Sequence, residues 1–240
     1  MSCLHLITPA LTDNPHGKIM DHSSSTKYDA ELQKIPHYQA FPLMMPYVGP
    51  HYESEGHKKL LLIGESFYLP PESTVHKNHT EWYQKNASVL NEEEIRYLDC
   101  RGLLENNTRH KMYHEIDRCL RTCLSGLKDG EQATTHIAYT NAFLRPAAES
   151  GKSFRYCCEH EETALSVQVT DTVVKALQPD LVIYLSICAW DYAGWQVADL
   201  NPTITFDHTC HPTAHFYWKR EGYPRGYNKF IQLLKSQFIQ

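Results

Sequence analysis

The chain lacks any apolar run approaching the roughly 20 residues that span a bilayer, and its mean hydropathy is -0.49. A membrane-spanning helix is therefore not expected. The opening residues, MSCLHLITPALTDNPHGK, carry neither a basic n-region nor a long apolar stretch, so no secretory signal is expected. Positive charge is not in excess. The formal net charge is -5 with His neutral, which excludes a histone-like polyelectrolyte binder and leaves room only for a local basic patch. Cysteine is sparse: eight in 240 residues are too dilute for a disulfide scaffold and fit free thiols in a reducing cytoplasm. No C-x-x-C pair occurs. Cys157-Cys158 with His160 superficially suggests zinc, but adjacent cysteines rarely chelate one tetrahedral ion together. They are expected as packing residues or surface thiols. No metal and no organic cofactor is expected.

What is present is a 42% hydrophobic share, enough for one sizeable core. Fifteen histidines and fifteen tyrosines suit a polar, aromatic-lined site. Residues 1–57 show no sustained period and predict an arm packed on the domain, with at most one short helix near 29–34. From residue 58 the pattern changes. LLLI at 60–63 is an unbroken apolar run that fits a parallel strand covered on both faces. Helices are expected over 91–105 and 109–127, a strand over 137–139, a long helix over 159–177 stopped by Pro179, and a third buried strand over 180–186. A short strand over 203–206 and a closing helix over 227–238 follow.

Strands alternating with helices predict an α/β fold: a three-layer αβα sandwich with a central, mainly parallel, four-stranded sheet. Ligands of such sheets bind outside the carboxyl ends of the strands. Segments 64–68, 141–145, 186–191 and 210–218 therefore converge on one rim.

Those segments read Gly64-Glu65-Ser66-Phe67-Tyr68, then Thr140-Asn141-Ala142-Phe143-Leu144-Arg145-Pro146, then Pro179-Asp180-Leu181-Val182-Ile183-Tyr184-Leu185, then His211-Pro212-Thr213. In order and spacing they resemble the uracil-DNA glycosylase superfamily over residues 58–240. Its branches carry G-Q-D-P-Y-H or G-E-A-P-G, a strand ending in Asn (T-N-V-V-K-x-R-P in the iron–sulfur branch), and H-P-S or H-P-A. The resemblance implies a uracil-DNA glycosylase-like fold. It also implies a monofunctional DNA glycosylase that flips out uracil or another altered or hypermodified base and hydrolyses its bond to the sugar. The implied partner is DNA containing that base; the setting would be repair or attack on foreign modified genomes.

The chemistry supports this independently. Breaking a base–sugar bond requires the nucleotide outside the stack, an aromatic platform, an amide to read the base edge, a donor for the departing base, and a carboxylate for the sugar cation or the water. Phe67 or Tyr68, Asn141, His211 and Glu65 supply these in turn. Gly64 and Phe143 complete the expected base-binding set. Beyond His211, the run Thr213, Ala214, His215, Phe216, Tyr217 offers bulk to fill the gap a flipped base leaves. Lys219, Arg220, Arg225 and Arg145 are expected to hold phosphates.

The sequence also departs from the family. Ser66 stands where the uracil-specific branch has its catalytic Asp, and serine is no carboxylate base, so Glu65 must take that role, with Asp191 or Asp199 as substitutes. Tyr68 replaces the last glycine of G-E-A-P-G and matches the tyrosine that crowds the pyrimidine C5 edge. The iron–sulfur cysteines have no counterpart. Trp190 and Trp195 are expected in the core, and His76, His79, His208 and His215 in solvent. Two other functions compete. Ser66 with His211 and Asp207 would form a serine hydrolase of the SGNH esterase kind, or the fold would bind nucleic acid without catalysis.

Overall fold

The computed structural model describes residues 24–106, 110–218 and 225–239. These form an α/β fold around one five-stranded mixed sheet, ordered β1-β3-β2-β4-β5. The strands are β1 (Tyr47–Val48), β2 (Leu60–Gly64), β3 (Ile137–Asn141), β4 (Leu181–Tyr184) and β5 (Thr205–His208). β2 runs parallel to β3 and β4, and β4 parallel to β5. Every residue of β2, β3 and β4 is buried, as the continuous apolar runs of β2 and β4 require of strands covered on both faces; β3 carries the polar Thr140 and Asn141 at its buried end.

Parallel neighbours need long crossovers, and helices supply them. Before the sheet come α1 (Asp29–Leu32) and α2 (Pro36–Ala40). Between β2 and β3 lie α3 (His79–Trp82), α4 (Glu92–Leu98), α5 (Cys100–Glu105) and α6 (Lys111–Arg121). α7 (His160–Leu177) joins β3 to β4. After β4 come α8 (Ile187–Ala189), a π-turn and α9 (Trp195–Leu200), and after β5 come α10 (His215–Trp218) and α11 (Arg225–Leu233).

Two expectations are corrected. The sheet has five strands and is mixed, because the arm adds β1 antiparallel to β3, pairing Tyr47 with Tyr139. A two-residue strand leaves no periodicity to read. The described part of the arm packs into the core: Leu32, Ile35, Tyr38, Phe41, Met44 and Tyr52 are buried, and Phe41 stacks on Trp82 with ring centroids 4.4 Å apart. The single helix expected over 91–105 is broken at Asp99, which ends α4 and caps α5 by accepting from the Gly102 N–H at 3.0 Å.

Candidate functional site

The register Gly64↔Asn141 across β2 and β3 places the first two expected segments side by side at the carboxyl edge. A cavity of about 270 Å³ opens there. One wall holds Ser66, Phe67, Tyr68, Asn141, His211 and Thr213. The opposite wall comes from the α4–α6 region, with Tyr97, Leu103, His110, Met112 and Tyr113. The sequence offered no signal for that second wall. Its residues are scattered along ordinary helices and assembled only by packing.

Asn141 is buried, and its Oδ1 accepts from the Tyr139 hydroxyl at 2.9 Å. Gly64 makes this arrangement possible. A Cβ at that position would lie 2.0 Å from the Tyr139 hydroxyl oxygen and 2.3 Å from Asn141 Oδ1, so the glycine serves close approach rather than backbone freedom.

His211 is half-buried. The Thr213 backbone N–H donates to its Nδ1 at 3.2 Å, and the Thr213 hydroxyl lies 2.8 Å from the same nitrogen. A backbone N–H can only donate, so Nδ1 is the acceptor and Nε2 carries the proton of the neutral ring. Burial pushes the imidazole below its ordinary value, against the opposing pull of the Glu65 carboxylate. Low basicity keeps the ring neutral, a donor through Nε2.

Glu65 is buried beneath this edge. Its Oε1 accepts from Ser153 Oγ at 2.7 Å and from the Phe154 N–H at 2.6 Å, and its Oε2 accepts from Ser186 Oγ. Ser186 also caps α8, accepting from the Ala189 N–H at 3.2 Å. Two serines from distant loops thus fix the carboxylate, contacts that chain spacing did not suggest. About four acceptor positions surround a carboxylate, and three of them are used here.

The structure separates other expected residues from the cavity. Phe143 is 1% exposed and stacks on Phe154 at 4.3 Å; it is core, not a base platform. Arg145 is buried and paired with Glu162, so it offers no surface charge to a phosphate. Trp195 is 49% exposed rather than core, whereas Trp190 stacks on His208 at 4.8 Å. His76, expected in solvent, is buried. Asp191 is exposed and pairs with Arg155 at 3.3 Å. Phe216 and Tyr217 are 71% and 57% exposed, just beyond Thr213. Lys219 and Arg220, and the side chains of His215 and Arg225, lie outside the described residues.

The serine-hydrolase arrangement is not assembled. Ser66 Oγ is buried with no hydrogen-bond partner among the described residues. Asp207 pairs with Lys229 at 2.7 Å and accepts from the His208 N–H, while His211 Nδ1 is held by Thr213. Among the described residues, no group of three or more His, Cys, Asp or Glu is placed to hold a metal ion, and no helix is long and apolar enough to cross a membrane. No protein-family model matches the chain, and no curated protein matches it.

Proposed function

We propose that the protein is a monofunctional DNA glycosylase of the cytoplasm. It would take an altered base out of DNA and hydrolyse its bond to the sugar. The α/β fold is compatible with a three-layer sandwich of the uracil-DNA glycosylase kind. The observation that carries the proposal is the single cavity shared by the Asn141 amide, the His211 imidazole and the Phe67 and Tyr68 rings.

In this reading the extruded base enters the cavity and packs on Phe67 and Tyr68, and Asn141 binds its edge. The bond between the sugar C1′ and the base nitrogen breaks, and its electron pair leaves with the base. The Nε2–H of His211 donates to the charge developing there, a role worth roughly 10²–10³ in rate for comparable donors. Glu65, which is not among the residues lining the cavity, would supply a fixed carboxylate charge to the developing sugar cation. Its one remaining acceptor position can take a hydrogen bond from the water that adds to C1′. Free base and an abasic site are the products. Phe216 and Tyr217 would fill the stack that the base has left.

The test is incubation of the folded protein with duplexes carrying deaminated, oxidised and hypermodified bases, followed by alkaline cleavage. Strand scission at one of these bases is expected. Absence of abasic sites with all of them removes the catalytic claim. DNA affinity that persists without base release, and that Glu65→Gln leaves unchanged, would identify a silent binder instead.

A further inference from the structure

The Glu65 carboxylate lines neither of two cavities that share one short segment of chain. Ser150 lines the cavity described above. Ala148, Glu149, Lys152 and Ser153, from the same segment, line a second cavity of about 300 Å³ together with Tyr156 and Cys157. Both flanks of the segment are anchored. Ala147 is buried, and its N–H donates to the Phe67 carbonyl at 2.9 Å. Phe154 is buried, stacks on Phe143 and has the Arg145 guanidinium 5.1 Å from its ring centroid. Between these anchors residues 149–152 are exposed. Gly151 sits there at φ +77°, a left-handed conformation that glycine adopts without strain.

Three side-chain hydrogen bonds hold the segment down. The Tyr68 hydroxyl donates to the Lys152 carbonyl at 3.0 Å. The Ser153 hydroxyl donates to Glu65 Oε1 at 2.7 Å and accepts from the Arg155 N–H at 3.3 Å. The remaining donors to Glu65, the Phe154 N–H and Ser186 Oγ, come from chain outside the segment. Withdrawal of Ser153 therefore leaves the carboxylate held at two points and frees one acceptor position on Oε1.

We propose that residues 148–153 form a strap that bound DNA displaces: the strap moves into the second cavity, draws the Ser153 hydroxyl off Glu65 and opens the carboxylate to the first cavity. This rests on the glycosylase reading given above, and it accounts for how a carboxylate covered in the free protein comes to face the sugar. A ligand shifts such an equilibrium only by binding one form better than the other. DNA does so here in two ways. The freed Oε1 position takes a hydrogen bond from the water beside the sugar, and Ser150 no longer borders the cavity that the nucleotide enters. Motions of this kind complete a catalytic set only once substrate is in place.

The experiment measures the affinity of the full-length protein for a duplex carrying a tetrahydrofuran abasic site, by fluorescence anisotropy, in the wild type, Tyr68→Phe and Ser153→Ala. Tyr68→Phe keeps the ring and loses only the hydroxyl. Each variant removes a hydrogen bond made in the closed form alone, so the open population rises. The apparent dissociation constant is expected to fall by roughly threefold to tenfold, the worth of one such bond. Side chains that merely support the fold would weaken binding when truncated. A variant that circular dichroism shows to be folded, and whose binding does not tighten, overturns the proposal. Base release from duplexes carrying altered bases is scored separately. There Ser153→Ala is expected to keep the wild-type single-turnover rate, because the hydroxyl has left Glu65 before the bond breaks; a tenfold lower rate would make Ser153 a fixed support of the carboxylate and overturn the strap. A wild type without affinity for the abasic duplex overturns this proposal and the glycosylase reading together. Tighter binding in the variants with no base release from any protein keeps the strap and removes the enzyme. Unchanged affinity beside normal base release keeps the enzyme and removes the strap.

Discussion

Arg145 and Glu162 are joined by two hydrogen bonds of 2.7 Å, from Nε and from an Nη, with both side chains at 2% exposure or less. Glu162 also accepts from the Tyr83 hydroxyl at 3.1 Å and from the Glu159 N–H at 3.0 Å. The pair thus ties the segment after β3 to the first turn of α7. Removing one partner from such a pair leaves an uncompensated buried charge and costs roughly 3–5 kcal/mol. Arg145→Ala is expected to lower stability by about that amount in urea unfolding. The salt dependence of DNA binding by the folded fraction should not change. A flatter salt slope with unaltered stability would instead make Arg145 a phosphate contact.

His211 bears on the chemical step. His211→Ala is expected to reduce base release by about 10² or more at saturating DNA, because the donor acts where charge develops. Thr213→Val retains the backbone N–H that fixes the tautomer and loses only the hydroxyl. Its expected cost is under about tenfold, one ordinary hydrogen bond. Single-turnover rates of the two variants check both figures; a wild-type rate in His211→Ala would remove the imidazole from the mechanism.

Gly64→Ala puts a methyl group where the Tyr139 hydroxyl and the Asn141 amide meet. Both contacts lie in a buried strand pair, so relief requires displacement of one side chain. Overpacking of this kind costs typically 1–3 kcal/mol. The variant is expected to lose stability in that range and to lose base binding more completely. Thermal unfolding and free-uracil binding, measured on the same preparation, decide it. Undiminished binding would show that the close approach is dispensable.

His37 gives the fold a sensitivity to acid. It lies among Tyr38, Phe41 and Tyr83, with ring centroids 5.3–6.2 Å away, and its buried Nε2 has no hydrogen-bond partner among the described residues. Burial pushes its pKa down to about 3, against about 6.5 in an unfolded chain. The folded state therefore refuses a proton that the unfolded state accepts. Stability is complete above about pH 6.5 and falls as the pH drops from there toward 3, by on the order of 1–2 kcal/mol between pH 6.5 and 5. His37→Phe should flatten that part of the profile. Denaturant midpoints at pH 7.5, 6 and 5 provide the measurement, and parallel profiles for variant and wild type would exclude His37 as the source.

Much of the frame follows from local order in the chain. The buried strands at β2 and β4 come from unbroken apolar runs, and the long α7 from its period and the Pro179 that follows its end. The rule that ligands sit at the carboxyl ends of parallel strands was enough to bring Gly64, Asn141 and His211 to one edge. Those features depend on neighbours in sequence or on topology, and a single chain displays both. Other features depend on which distant atoms meet. Phe143 and Phe67 are both aromatic residues at strand ends, yet one is sealed against Phe154 and the other lines the cavity. Arg145 reads as a phosphate ligand until Glu162, one helix away, claims it. The two serines on Glu65, the phenol on Asn141 and the wall from α4–α6 were decided by tertiary packing alone, because hydrogen bonds and burial are fixed by distances in space that spacing along the chain does not record.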